Sequence, residues 1–298
     1  MTERLDVEQV LKALARNSIR LEPGEGNGPV VGRFGGLPDV PPEFVWPVFE
    51  TAVYNDSTVK PRPLSFLAQF DCAALAPLDM DGLLPHTGVL SFFYELDSQR
   101  WGYDPEDTGC ARVYWFPDKA ALVPAADFPE EMEDYLRLPS TPFQAKSEIT
   151  YPDFEDFALP YPEITHPSYW KQVYGGWEGF LGKYDTVSAA LRGREPETFH
   201  KLLGWPDIIQ NNMTRECELV CQGFHTGGSW DKIPIETRQE AARTSLDGWR
   251  LLFQMDTVTI GDEFELMFGD NGSIYFYIRK EDLAACRFDR IWLILQCF

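Results

Sequence analysis

The chain is short of the residues from which most catalytic and ligand-binding motifs are built. Only four of its 298 residues are histidine (His86, His166, His200 and His225), and 26 lysines and arginines stand against 47 aspartates and glutamates. The resulting net charge of −21 repels phosphate backbones, so nucleic acid is not expected as a partner. No apolar run reaches the ~18 residues that a membrane-spanning helix needs, and no membrane partner is expected. The opening Met1-Thr2-Glu3-Arg4-Leu5-Asp6 lacks the basic and apolar segments of a secretory leader. Cys72, Cys110, Cys217, Cys221, Cys286 and Cys297 are scattered, several inside apolar runs. They read as small hydrophobes in a reducing compartment, which suggests a cytoplasmic protein.

Catalytic signatures are missing as well. There is no Gly-X-Ser-X-Gly elbow for an activated serine. Gly24-X-Gly26-X-Gly28 is not followed by Lys-Ser/Thr and a helix, so it cradles no phosphate. Among 47 acids any carboxylate pair can be found and none is diagnostic of glycoside hydrolysis. No catalytic residue and no cofactor is assigned. The sharpest metal-like pattern is Cys217-X3-Cys221-X3-His225, but structural zinc sites favour Cys-X2-Cys knuckles. The segment from Glu216 to Gln222 reads better as a strand with two buried cysteines.

Aromatics are abundant, at 14% with nine Trp and 21 Phe, which suits pleated sheets. Short aromatic or β-branched runs predict strands at 64–70, 89–94, 111–116, 249–255, 273–278 and 291–296. Helical spacing predicts helices at 5–16, 168–193 (with glycine breaks) and 235–246, and a helical turn at 280–285. Residues 124–167 hold eight prolines and many acids, yet keep Phe128, Tyr135, Phe143 and Phe157. This predicts an ordered, extended connector with one short helix around 130–137.

Four short segments recur in order. Gly36-Leu37-Pro38-Asp39 is echoed by Gly204-Trp205-Pro206-Asp207, and Leu67-Ala68-Gln69-Phe70-Asp71 by Leu252-Phe253-Gln254-Met255-Asp256. Gly88 to Tyr94 is echoed by Gly272 to Ile278, and Arg112-Val113-Tyr114-Trp115 by Arg290-Ile291-Trp292-Leu293. The expected fold is therefore α+β, with antiparallel sheets built from an internally duplicated strand-rich unit (33–116 and 200–297) and helices at the N-terminus and between the copies.

These motifs, with Arg33-Phe34-Gly35-Gly36-Leu37-Pro38 and the closing Trp292-Leu293-Ile294-Leu295-Gln296, resemble the YwqG-like family, a bacterial domain of unknown function. The resemblance spans roughly residues 30 to 298 and implies the same duplicated α+β fold. It carries no catalytic residues. Because some members resemble neighbours of polymorphic toxin genes, it implies an immunity role.

Two functional expectations follow. The first is a non-catalytic protein-binding module that takes a basic partner, its acidic field speeding capture. Trp46, Trp101, Tyr103, Trp170, Trp177, Trp205 and Trp230 sit in loop-like contexts and would form a binding patch if exposed together. The second is an enzyme or small-ligand binder with a site between the copies, near Arg33, Gln69, Asp71, His200, Asp207, Gln254 and Asp256. Against it stands the commonest use of such residues, local hydrogen bonding to turns. Segments lacking a counterpart in the other copy, 217–225 and 127–163, are where specific function is expected.

Overall fold

The computed structural model describes residues 6–24, 28–160, 171, 177–193, 199–261 and 264–298. Its centre is one ten-stranded sheet. Numbered along the chain, the strands are β1 (Arg16–Pro23), β2 (Val30–Phe34), β3 (Ser65–Asp71), β4 (Val89–Tyr94), β5 (Ala111–Phe116), β6 (Thr141–Thr150), β7 (His200–Leu203), β8 (Trp249–Asp256), β9 (Ser273–Arg279) and β10 (Ile291–Gln296). Across the sheet they run β10-β9-β8-β7-β1-β6-β2-β3-β4-β5, each neighbour antiparallel. The edges β5 and β10 curl toward each other, and the sheet nearly closes. The α+β class and antiparallel pairing expected from the sequence are present.

The two five-stranded halves, β6-β2-β3-β4-β5 and β1-β7-β8-β9-β10, share details of register. A register shift falls between Phe66 and Ala68 in the pairing of β3 with β4, and between Leu251 and Phe253 in that of β8 with β9. Each bulge turns two successive residues, Leu67-Ala68 and Leu252-Phe253, into the same core. A pair of left-handed residues follows β2 and overlaps the end of β7: Gly35 and Gly36 at φ 57° and 74°, Leu203 and Gly204 at 60° and 75°. Phenylalanines fill the interior from both sides. Phe253 lies 5.4 Å from Phe70 and 4.8 Å from Phe92, and Phe92 lies 5.2 Å from Phe276. Close-packed rings leave the sheet's interior filled.

The outer faces are covered separately. Phe44, Trp46 and Phe49 pack on Leu64, Phe66 and Phe93 of the first half. On the second half, the helix Met213–Cys221 lays Met213, Cys217 and Val220 against Trp249, Tyr275, Tyr277 and Trp292. A third cluster joins Val7 and Leu11 of the helix Val7–Ala13 to Phe157, Phe180 and Tyr184.

Several elements differ from the sequence reading. Residues 216–222 lie largely in a helix, not a strand. Asn212 caps it by accepting from the Arg215 N–H at 2.9 Å, and the apolar residues repeat at helical spacing rather than alternating. The cysteines are not alike, Cys217 being buried and Cys221 exposed. The extended connector contributes β6, a ten-residue strand at the middle of the sheet, and its expected helix is a single 3-10 turn at Asp134–Leu136. β1, its neighbour, is a further strand the sequence reading omits, as is the hairpin of Val48–Val53 with Asp56–Pro63. The helix Trp177–Arg192 runs through Gly179 and Gly182 without a break, while Gly175 and Gly176 lie outside the described residues. No helix among the described residues is long and apolar enough to cross a membrane.

Candidate functional site

The polar residues singled out in the sequence form two separate clusters, each at a turn. In the first, Arg33 pairs with Asp39 at 2.9 Å and donates to the Leu37 carbonyl at 2.7 Å. Gln69 on the adjacent strand accepts from the Asp39 N–H at 3.1 Å and donates to the Asp39 carbonyl at 2.7 Å. In the second, Lys201 takes the place of the arginine and pairs with Asp207 at 2.6 Å. Gln254 accepts from the Asp207 N–H at 2.9 Å and donates to the Phe199 carbonyl at 2.9 Å. Tyr275 closes the second turn by donating to the Asp207 carbonyl at 2.6 Å. In both clusters a buried glutamine supplies the hydrogen bonds that the turn backbone would otherwise lack.

The remaining candidates are also engaged. Asp71 caps the helix Cys72–Leu75 and pairs with Lys119 at 2.6 Å. Asp256 accepts from Ser273 at 3.1 Å, and its N–H donates to Nδ1 of His200 at 3.1 Å. His200 is buried beside Phe143, and burial pushes its imidazole down to about 4, so it stays neutral. Its acceptor nitrogen already serves the backbone, which leaves no base there for a nucleophile. Cys217 and Cys221 share one helix, whereas His225 lies near Asp104 at 3.8 Å. Among the described residues no group of three or more His, Cys, Asp and Glu is placed to hold a metal ion.

Where the two halves meet, a cavity of about 410 Å³ is lined by Arg20, Lys146, Arg192, Lys201, Trp205 and Asp207, among others. Of the sequence candidates it contains Asp207 and Trp205. Its cations are matched: Arg20 and Lys146 lie against Glu22, Arg192 against Asp153, and Lys201 against Asp207. Among the described residues no excess charge remains to draw an anion in.

The aromatic loop residues give a different picture. Trp205 is buried with the Arg16 guanidinium over its ring at 3.5 Å, and Trp46 belongs to the outer core. Trp170 and the Trp177 side chain lie outside the described residues. Trp101, Tyr103 and Trp230 come together. The loop between β4 and β5 crosses to the opposite edge of the sheet, where Leu295 N–H donates to the Trp101 carbonyl at 3.0 Å and the Trp292 indole donates to the Gly102 carbonyl at 2.8 Å. Gly102 makes this crossing possible. Its φ is 79°, and a Cβ there would stand 1.7 Å from the Leu293 carbonyl oxygen. Buried Asp107 holds the Gly102 N–H at 3.0 Å, and Tyr103 takes the Thr226 N–H at 2.8 Å.

Two clefts open on either side of this loop, of about 530 and 500 Å³, and share Trp101, Tyr103 and Gly227. The first is walled by Tyr54 at the hairpin tip and by Asp97, Asp104 and Asp107, with Arg100 and His225 at its rim. Trp101 is 42% exposed and Tyr54 fully so. The second is walled by Trp230 and floored by Arg215 and Glu216 at the start of the helix that was expected to be a strand. The Arg215 guanidinium lies 4.5 Å over the Trp230 ring. Glu216 is only 5% exposed, and its Oε2 has no hydrogen-bond partner. Burial raises its carboxyl to about 7, with Arg215 opposing. Of these residues the sequence indicated the tryptophans, Tyr103 and the segment containing His225, but not Glu216. An acid one residue before a cysteine in a helical phase was the available signal.

The architecture is thus that of an antiparallel α+β scaffold whose internal polar residues brace turns and whose accessible chemistry is an acidic aromatic cleft at the seam of the sheet. The chain belongs to the family described as Domain of unknown function (DUF1963), which it matches over residues 32–297. Among curated proteins none matches it.

Proposed function

We propose that the protein is a non-catalytic protein-binding module that takes a basic partner in the double cleft around Trp101 and Tyr103. The observation that carries this reading is the convergence of aromatic rings, Trp101 and Tyr54 among them exposed, with Asp97, Asp104, Asp107 and Glu216 in two adjoining clefts that share Trp101, Tyr103 and Gly227. Aromatic surface supplies contact area with little conformational entropy to lose, and carboxylates select lysine and arginine. A net charge of −21 steers such a partner in. A non-catalytic role is supported by the state of the nucleophile candidates: burial holds the Cys217 and Cys110 thiols well above the ordinary range and pushes Cys72 up to about 12. One form of the role is that of an immunity protein neutralising a basic toxin in the cytoplasm.

We also infer that the sheet arose by internal duplication of a strand-rich unit. Support comes from the two matching bulges, the two left-handed pairs and the two glutamine-braced turns.

The binding role is tested with a displayed library of 15-residue peptides, selected at low salt. The expected outcome is enrichment of lysine- and arginine-rich sequences by the wild type and their loss with Trp101→Ala combined with Asp104→Asn. A library that enriches no basic peptide, or one whose binders ignore both the double variant and added salt, defeats the reading.

A further inference from the structure

A carboxylate taken out of water without a partner is costly, and a protein that keeps one in a cleft keeps it beside the place where a partner group can come. Glu216 fits this description. It is 5% exposed, its Oε2 is unpartnered, and it floors the second cleft beneath Trp230 and Tyr103. Its charged and titratable neighbours are Arg215, Tyr103 and Cys217. Arg215 offsets its charge only in part: the guanidinium is laid over the Trp230 ring rather than on the carboxylate, and its own Nε is left without a partner. The walls are held rigidly, since Trp230 donates to the Thr226 carbonyl at 2.9 Å and Tyr103 to the Leu295 carbonyl at 3.2 Å.

Resting on the docking role proposed above, we infer that this second cleft is an anchor pocket for one cationic side chain of the partner, whose N–H groups pair with the Glu216 carboxylate between the aromatic walls. The shared chemistry is that of an ammonium or guanidinium on an alkyl stem. The stem would lie along Trp101 and Tyr103, as lysine and arginine stems do on apolar surface, and the head would gain the ion pair. An orphaned acid suits this better than a neutral pocket, because pairing removes a cost already present in the free protein.

The test uses n-butylguanidinium, n-butylammonium and neutral n-butylurea, titrated into the full chain at pH 8 and followed by tryptophan fluorescence and by NMR saturation transfer. One or both cations should bind with Kd of about 1 mM, the range open to a ligand of this size. Butylurea should bind at least tenfold more weakly. Glu216→Gln, which keeps shape and size, should lose the cations by at least tenfold while Glu43→Gln, at an exposed acid outside both clefts, keeps them; cooperative melting of both variants checks the fold. Equal binding of urea and cations, no binding of either cation, or unchanged cation binding by Glu216→Gln overturns the inference. The two readings fail separately. Basic peptides held equally by wild type and Glu216→Gln leave the docking role standing and remove the anchor. Butylguanidinium bound through Glu216 with no basic peptide selected does the reverse.

Discussion

A residue kept for binding at the expense of the free protein should reveal itself as a gain in stability when it is neutralised, and Glu216→Gln is the perturbation that shows it. An ordinary glutamate titrates at 4.5, and burial carries Glu216 to about 7. The sign follows from proton counting. Between these values the native protein holds a proton that the unfolded chain has released, so rising pH favours unfolding, and the loss is complete above about 7. The interval corresponds to about 3 kcal/mol at about 1.4 kcal/mol per pH unit. Glutamine fills the same space, carries no charge and does not titrate. Other raised acids, such as Asp156 at about 7, contribute equally to both proteins and cancel in the difference. Urea denaturation at half-unit steps from pH 4.5 to 8 is the assay. The variant should match the wild type near pH 4.5, pull ahead through pH 6 and 7, and level off about 3 kcal/mol more stable by pH 8, with an unchanged m-value. A pH-independent difference, or a variant that is less stable at pH 8, would refute the premise that the carboxylate is buried and unpaired.

Further outcomes follow from the same geometry. Gly102→Ala should cost about 3 kcal/mol or more, since the new Cβ meets the Leu293 carbonyl and φ is left-handed, and it should blunt peptide capture; thermal melting and the displayed library read the two effects. Gln69→Ala and Gln254→Ala should each cost about 2–3 kcal/mol in urea denaturation, because each strips hydrogen bonds from a buried turn, and similar losses would agree with equivalent turns. His200→Asn keeps an acceptor for the Asp256 N–H but cannot take a proton. Because the imidazole is pushed to about 4, the unfolded chain takes the proton first as pH falls below 6.5, and the wild type should lose about 3 kcal/mol relative to the variant between pH 6.5 and 4. Phe253→Ala, which opens a hole facing Phe70, Phe92 and Phe276, should cost about 3–5 kcal/mol with no specific effect on cation binding.

Most of the strands legible in the sequence are buried on both faces, such as Leu64 to Phe70 and Trp249 to Met255, whose apolar runs are broken by only two polar residues each. β1 and β6 are harder to read for a physical reason. They lie at the centre of the sheet, yet one face carries Arg20, Lys146 and Glu148 toward a polar cavity, so only Ile19, Leu21, Phe143 and Ala145 signal the core. Prolines at 139 and 142 disguise β6 further. The helix at Met213–Cys221 was obscured because Cys217 and Val220 suit either a strand or a helix. The capping Asn212 was the deciding residue. The glutamine turns were half legible. The recurrence of Gln and Asp was visible, and so was their commonest use, but the replacement of Arg33 by Lys201 appears only once the register places both beside a glutamine.

A sheet of ten strands that stops short of closure has two edges, and exposed edges invite pairing with another chain. Here the loop after β4 runs across the gap and takes up the Leu295 N–H of β10, so the edge is capped by backbone rather than left open. The corresponding connection after β9 is a helical turn, Lys280–Ala284, followed by a 3-10 turn, Phe288–Arg290, which also reaches the opposite edge but through a side chain, Phe288 packing on Trp115 of β5. Trp101, Asp104 and Asp107 sit in that crossing loop, while Glu216 and Trp230 reach it from the helix and turn that cover only the second half. Residues that recur in both halves brace turns of the scaffold, while Trp101, Asp104, Asp107, Glu216 and Trp230 of the clefts lie outside the recurring segments. A binding function built there can change its partner by altering the crossing loop and the helix start without disturbing a single glutamine-braced turn.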